Sequence, residues 1–240
     1  MDFAKSSPLH RLAAVMAGQA YGVTEAGKKA LAAGGYRLVK DTEEIKVYEP
    51  TAGAPTKQNP VVVAIRGTVP NLAKDIATDV ALAAGRIRFT PRYRRNLKAV
   101  EKLQKAYNGH VLLTGHSLGG TLALFIGAEL SLPAVAFNPG VGKNLLPRSS
   151  RRATIYRTPG DFVSLVGRVA MMAVPDFLRR FLGLPQVHTL QRPLAGPLSA
   201  HGIGVFGGAK SPFHRVKISG FDRVVAKMPI FAGCSIVKRN

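Results

Sequence analysis

A chain of 240 residues with 46% apolar composition is long enough to bury one sizeable core, and a single domain over residues 1–240 is expected. Its one cysteine, Cys234, excludes an intramolecular disulfide and any cysteine-based metal cluster. The formal charge of +21, from 34 Lys and Arg against 13 Asp and Glu, suits polyanionic partners, either nucleic acid or an anionic membrane surface.

From the start of the chain, MDFAKSSPLHRLAAVMAGQAYG has a short apolar stretch followed by helix-like chemistry rather than a cleavage site. The expected location is therefore intracellular without a secretory signal, whether peripheral to a membrane or packaged in a virion. IKVYE at 45–49 alternates like a strand, and PVVVAIRG at 60–67 is a β-branched run bounded by Pro and Gly that reads as a central strand. A helical pattern covers Asn71 to Ala84. The densest basic run follows, RIRFTPRYRRNLK from Arg86 to Lys98, with Phe89 and Tyr93 interleaved and no acid. Its cations Arg86, Arg88, Arg92, Arg94, Arg95 and Lys98 form either a surface for a polyanion or a solvated helix start. Helical spacing continues from about Arg92 to Tyr107.

Val111 to Ala128 carries no formal charge over eighteen residues, which meets a crude length test for a membrane span. Thr114, His116, Ser117 and a Gly-Gly pair at its middle assign it instead to a buried strand, a tight turn and a buried helix, so no transmembrane segment is expected. The pieces are VLLTG at 111–115 and a helix from Leu118 to Leu130. Short β-rich runs follow at 134–138, AVAFN, and 153–157, ATIYR. Strands alternating with helices of this length predict an α/β fold, a mostly parallel sheet with helices on both faces. In such sheets ligands bind beyond the carboxyl ends of the strands. The residues there are Arg66-Gly67-Thr68, His116-Ser117-Leu118, Asn138-Pro139-Gly140 and Thr158-Pro159-Gly160-Asp161.

One of these turns carries a chemical pattern. Gly115-His116-Ser117-Leu118-Gly119 is Gly-x-Ser-x-Gly, which makes a sharp strand-to-helix turn that exposes a Ser hydroxyl above the sheet. Apolar VLL before it and TLALFIGAEL after it supply the strand and helix that the turn requires. A serine hydroxyl needs a base to take its proton and a third group to orient the base. With the chain order Ser, acid, His, only Asp161 and Asp176 among the acids after residue 130 precede a histidine. Asp161 lies in a TPGD turn just after a strand, whereas Asp176 in PDFLRRF reads as a helix-start residue placed by the dipole. His188, His201 and His214 remain open as the base.

These residues resemble the class 3 lipases, the fungal-type triacylglycerol lipases and related acylhydrolases with an α/β-hydrolase fold. The resemblance runs in order through VVVAIRGT, DIATDV at 75–80, VLLTGHSLGGTLALFIGAEL, RTPGDFVSLV and AHGIGVF. It implies a triad of Ser117, Asp161 and His201, and an oxyanion hole from the backbone N–H groups of Thr68 and Leu118, with the Thr68 hydroxyl as an extra donor. No metal or organic cofactor is implied, and the substrate is a lipid ester, either triacylglycerol or a phospholipid or galactolipid. FNPGVG at 137–142 departs from the family's Gly, Ser or Ala, Pro, Arg, and an apolar lid between Thr68 and Ser117 is not evident. An apolar insert at 162–184 follows the acid instead. Its Phe177, Leu178, Phe181 and Leu182 share one helix face, suited to a lipid interface, a lid over the acyl site, or a core. The alternative from another class is a catalytically inactive hydrolase-fold protein that binds nucleic acid or anionic membrane through its basic surface.

Overall fold

The computed structural model describes residues 3–68, 87–140, 152–158 and 186–189. Two helices open the chain, α1 (Pro8–Gln19) and α2 (Glu25–Ala33). Each has a hydroxyl N-cap: Ser7 Oγ accepts from the His10 N–H, and Thr24 Oγ1 accepts from the Gly27 N–H. Each cap satisfies one backbone donor that the helix leaves unpaired. Strands β1 (Tyr36–Asp41), β2 (Ile45–Pro50) and β3 (Val61–Ile65) follow, then α3 (Pro91–Ala106), β4 (Val111–His116), α4 (Leu118–Glu129), β5 (Ala134–Phe137), β6 (Ala153–Arg157) and β7 (Gln186–Thr189).

The seven strands form one sheet in sequence order. β1–β2 and β2–β3 pair antiparallel, and every pair from β3 to β7 is parallel. The mostly parallel α/β-hydrolase-type sheet read from the sequence is thus the one observed, with an antiparallel edge added. Successive side chains along each strand feed opposite faces. Val61, Val63, Ile65, Val111, Leu113, Ala134 and Ala136 pack with Tyr93 and Val100 of α3 and with Leu122 to Ile126 of α4. Val62, Ala64, Leu112, Val135 and Phe137 pack under Ala13, Ala14, Met16 and Ala17 of α1. The alanines let α1 lie close to the strands.

The uncharged run 111–128 divides into β4 and α4 as expected from its polar middle, and α4 is buried on nearly all sides. No helix among the described residues is long and apolar enough to cross a membrane. The expected helix over 71–84 and the insert helix carrying Phe177, Leu178, Phe181 and Leu182 lie outside the described residues. β1 has no counterpart in the sequence reading. It is an edge strand of mostly exposed residues with a register shift between Leu38 and Lys40, so its alternation is weak.

Candidate active site

At the carboxyl end of β4 the chain turns at Ser117 with φ 56° and ψ −126°. This is the conformation of the first central residue of a type II′ turn, one that favours glycine. A non-glycine residue held there costs about 1–3 kcal/mol and persists only where surrounding contacts enforce it. Those contacts are backbone to backbone. A Cβ on Gly115 would lie 2.4 Å from the Gly119 carbonyl carbon, and one on Gly119 would lie 2.1 Å from the Ile65 carbonyl oxygen. Neither position admits a side chain, so α4 starts directly against β3 and β4. The Ser117 N–H donates to the Phe137 carbonyl at 3.1 Å, and the Ser117 carbonyl accepts from the Thr121 N–H at 3.0 Å. Ser117 occupies the N-cap position of α4, yet its side chain does not cap the helix. The dipole of a buried helix therefore begins at the residue whose hydroxyl the motif presents.

Beside this turn runs the segment 66–68 that follows β3. Gly67 is buried, and a Cβ there would meet the Tyr21 hydroxyl at 2.1 Å and the His116 carbonyl oxygen at 2.8 Å. The loop after β3 thus touches the turn after β4. Tyr21 lies between them, its hydroxyl 3.0 Å from His116 Nδ1, and it donates to the His116 carbonyl at 3.3 Å. Burial pushes the Tyr21 phenol well above its ordinary value, against a smaller opposing effect of the Arg92 guanidinium and the Gly67 backbone. Tyr21 is therefore a neutral hydroxyl at neutral pH. Arg92 Nη2 donates to the carbonyls of Arg66 and Gly67, the latter at 3.4 Å. Thr68 Oγ1 is buried and has no hydrogen-bond partner among the described residues. Such a group is costly unless a partner arrives, and a loop that borders the nucleophile motif is a place where a ligand oxygen can supply one.

The next strand ends are tied together. Asn138, fully buried with φ 43°, accepts from the Thr158 N–H through Oδ1 at 2.9 Å and donates through Nδ2 to Thr158 Oγ1 at 3.1 Å. The Asn138 N–H donates to the Tyr156 carbonyl at 2.8 Å. Thr158, which follows β6 and lies three residues before Asp161, is thus fixed to the end of β5 by side-chain hydrogen bonds beside those of the sheet. Tyr156 belongs to the α1 side of the sheet, where it stacks on Phe137 and on His188 at 5.5 and 5.2 Å and lies 2.8 Å from His10 Nδ1 through its hydroxyl. His188, one of the three histidines open as a base, is thereby engaged on the α1 face of the sheet.

The structure brings the end of β3 and Gly67, the residue before Thr68, against the turn that carries Ser117 and Leu118. Asp161, Asp176, His201 and His214 lie outside the described residues. The basic run separates into different environments. Arg86 lies outside the described residues, and Arg88 sits over the Phe125 ring at 5.8 Å. Arg92 turns inward to the 66–68 loop, and Arg95 pairs with Glu44 at 2.5 Å. Arg94 and Lys98 are exposed, as is Phe89, at 73%. Among the described residues no group of three or more His, Cys, Asp or Glu is placed to hold a metal ion. Sequence reasoning missed Tyr21 and the inward role of Arg92. Nothing in AYGVT marks Tyr21, while Arg92 stands at the first turn of a helix, where a cation opposes the dipole unless something else holds it.

Three comparisons bear on this arrangement. The sequence profile of a phospholipase-like family, the Tle-like phospholipase domain, matches residues 16–192, which include β1 to β7 and the Ser117 turn. No curated protein matches the chain. Among solved structures, a lipase from Rhizopus microsporus var. chinensis is similar at 20% identity over 69% of this chain and 69% of its own, with a TM-score of 0.41. A mutant form of MDLA from Penicillium cyclopium is similar at 12% identity over 78% of this chain and 79% of its own, with a TM-score of 0.43.

Proposed function

Because the chain belongs to the phospholipase-like family of the Tle-like phospholipase domain, we propose that it is a serine hydrolase that cleaves carboxylic ester bonds of lipids. The observation that carries this reading is the glycine-type backbone of Ser117 at the end of a central parallel strand, enforced by backbone contacts at Gly115 and Gly119. A strained serine at the start of a buried helix has a chemical use and no packing advantage.

The roles follow the class 3 lipase resemblance. Ser117 Oγ attacks the ester carbonyl carbon while His201 takes its proton, and Asp161 orients the imidazole and stabilises its charged form. The tetrahedral oxyanion is received by the Thr68 and Leu118 N–H groups and the Thr68 hydroxyl, whose lack of a partner among the described residues supports that part. His201 returns the proton to the departing alcohol, and water then releases the fatty acid from Ser117 by the same steps. Each oxyanion donor is worth about 3–4 kcal/mol in the transition state. Phospholipid is the favoured substrate class, through the family and the basic charge, with triacylglycerol as the alternative. Contact with an anionic lipid surface would use exposed Arg94, Lys98 and Phe89.

The test is labelling of the purified protein with a fluorophosphonate probe, with the modified peptide located by mass. Labelling at Ser117 that disappears in Ser117→Ala and His201→Ala supports the hydrolase. No labelling of the folded protein, with anionic phospholipid vesicles present, would overturn it in favour of an inactive binding protein. Release of fatty acid from phospholipid vesicles compared with triolein emulsions then decides the substrate class.

A further inference from the structure

We propose that Arg92 is a positioning residue for the oxyanion site: by holding the carbonyl oxygens of Arg66 and Gly67 it aims the Thr68 N–H at the oxygen of an ester bound over Ser117. This rests on the reading of Ser117 as the nucleophile. In a planar trans peptide the C=O and N–H point in opposite directions, and the Gly67 carbonyl shares its peptide with the Thr68 N–H. Arg92 Nη2 donates to both the Arg66 and the Gly67 carbonyls, so both peptides turn their oxygens toward the guanidinium and their N–H groups away from it. On that opposite side the Tyr21 hydroxyl meets Gly67 and bonds to His116, the residue before the nucleophile. The first of the two N–H groups, that of Gly67, belongs to the residue against which the Tyr21 hydroxyl lies. By the same constraint the second, that of Thr68, points away from Arg92, in the loop whose Gly67 already touches the His116 carbonyl beside Ser117.

The backbone that carries Arg92 is itself placed by several contacts. It lies on the first turn of α3, whose Thr90 cap accepts from the Tyr93 N–H. The Arg92 carbonyl accepts from Asn96 Nδ2 at 2.9 Å, and Asn96 also donates to Glu44 at 3.2 Å. Glu44 further accepts from Arg95 at 2.5 Å, and its carbonyl receives the Arg66 N–H at 3.0 Å. Arg92 is partly buried. A cation drawn inward to two backbone carbonyls does more than tie a helix to a strand: it polarises the peptide and strengthens the N–H on its far end as a donor. Preorganised donors of this kind act on the transition state and leave ground-state binding little changed.

The experiment compares the whole protein with Arg92→Met, Arg92→Lys and Lys102→Met, the last an exposed cation of the same helix. The readouts are p-nitrophenyl butyrate hydrolysis, the fluorophosphonate labelling rate at Ser117, and thermal unfolding. Arg92→Met should lower kcat by about tenfold to a hundredfold, short of full loss of a donor, with KM within about twofold and labelling slowed in parallel. Millimolar methylguanidinium should restore part of the rate in Arg92→Met and none in wild type. Lys102→Met should retain wild-type kcat. If Arg92→Met does not fold, Arg92→Lys, which keeps the charge but donates from a single point, carries the same expectation. Wild-type kcat in a folded Arg92 variant, a loss confined to KM, or an equal loss in Lys102→Met would overturn the proposal. Absence of Ser117 labelling in wild type overturns the underlying hydrolase reading as well, and is seen before any variant is made.

Discussion

The backbone at Ser117 allows its strain to be measured separately from its chemistry. Ser117→Ala and Ser117→Gly both remove the hydroxyl, so neither can react, but alanine keeps the Cβ that makes φ 56°, ψ −126° unfavourable and glycine does not. Relief of a residue in such a conformation is worth about 1–3 kcal/mol. Against this, glycine has more unfolded-state freedom to lose, about 0.5–1 kcal/mol. At mid-range the two terms leave Ser117→Gly more stable than Ser117→Ala by about 1 kcal/mol. For a chain of this size each kcal/mol moves Tm by about 2–4 °C, so the two variants should differ by roughly 2–4 °C. Equilibrium urea unfolding at matched m-values gives the free energy, and calorimetry gives the Tm difference. Equal stability, or a more stable alanine variant, would refute the reasoning, because it would mean that the serine is not held in a glycine conformation.

Three other perturbations probe the supports of the site. Gly119→Ala would place a Cβ 2.1 Å from the Ile65 carbonyl oxygen; opening that gap to the 3.0 Å that real Cβ atoms respect needs a backbone shift of about 0.9 Å. The variant should lose at least 1–3 kcal/mol in urea unfolding, together with most of its fluorophosphonate labelling. Asn138→Ala deletes two buried hydrogen bonds to Thr158 and should cost about 1–3 kcal/mol, read as a lower unfolding midpoint. His10 is held below its ordinary pKa of 6.5 by burial first and by His188 second. Between its folded pKa and 6.5 the unfolded chain binds more protons, so stability is complete above 6.5 and falls as pH drops through that window. Urea midpoints at pH 7.5 and 5 should differ more in wild type than in His10→Asn.

What the sequence made legible is what local chemistry determines alone. The β-branched run at 61–65 and the apolar VLL before Gly115 could be nothing but buried strands, and the Gly-x-Ser-x-Gly spacing required the sharp turn that Ser117 makes. Strand ends were read to within two residues, because Pro, Gly and Asn punctuate them. β1 was not legible, since an edge strand with one buried side chain, Tyr36, has little alternation to read. The ties across the strand ends were hidden for a different reason. Asn138 meets Thr158 across twenty residues and Tyr21 meets His116 across ninety-five, and no local pattern records a partner that only the sheet order brings near.

Arg92 shows where composition misleads. In RIRFTPRYRRNLK every cation counts the same, and a charge run is read as one surface. Helical geometry separates them: at 100° per residue Arg92, Arg94 and Arg95 point in different directions from one axis, and the axis lies over the loop after β3. Arg94 is left in solvent, Arg95 is drawn to Glu44, and Arg92 reaches the carbonyls of Arg66 and Gly67. The phase of the helix is set by what must be buried, Tyr93, Asn96 and Val100, so the apolar and amide positions decide which arginine faces inward. Net charge therefore overstates the cationic surface of α3. Attraction of the protein to anionic vesicles should weaken with salt and respond to Arg94 and Lys98 together, whereas loss of Arg92 should be felt at Ser117.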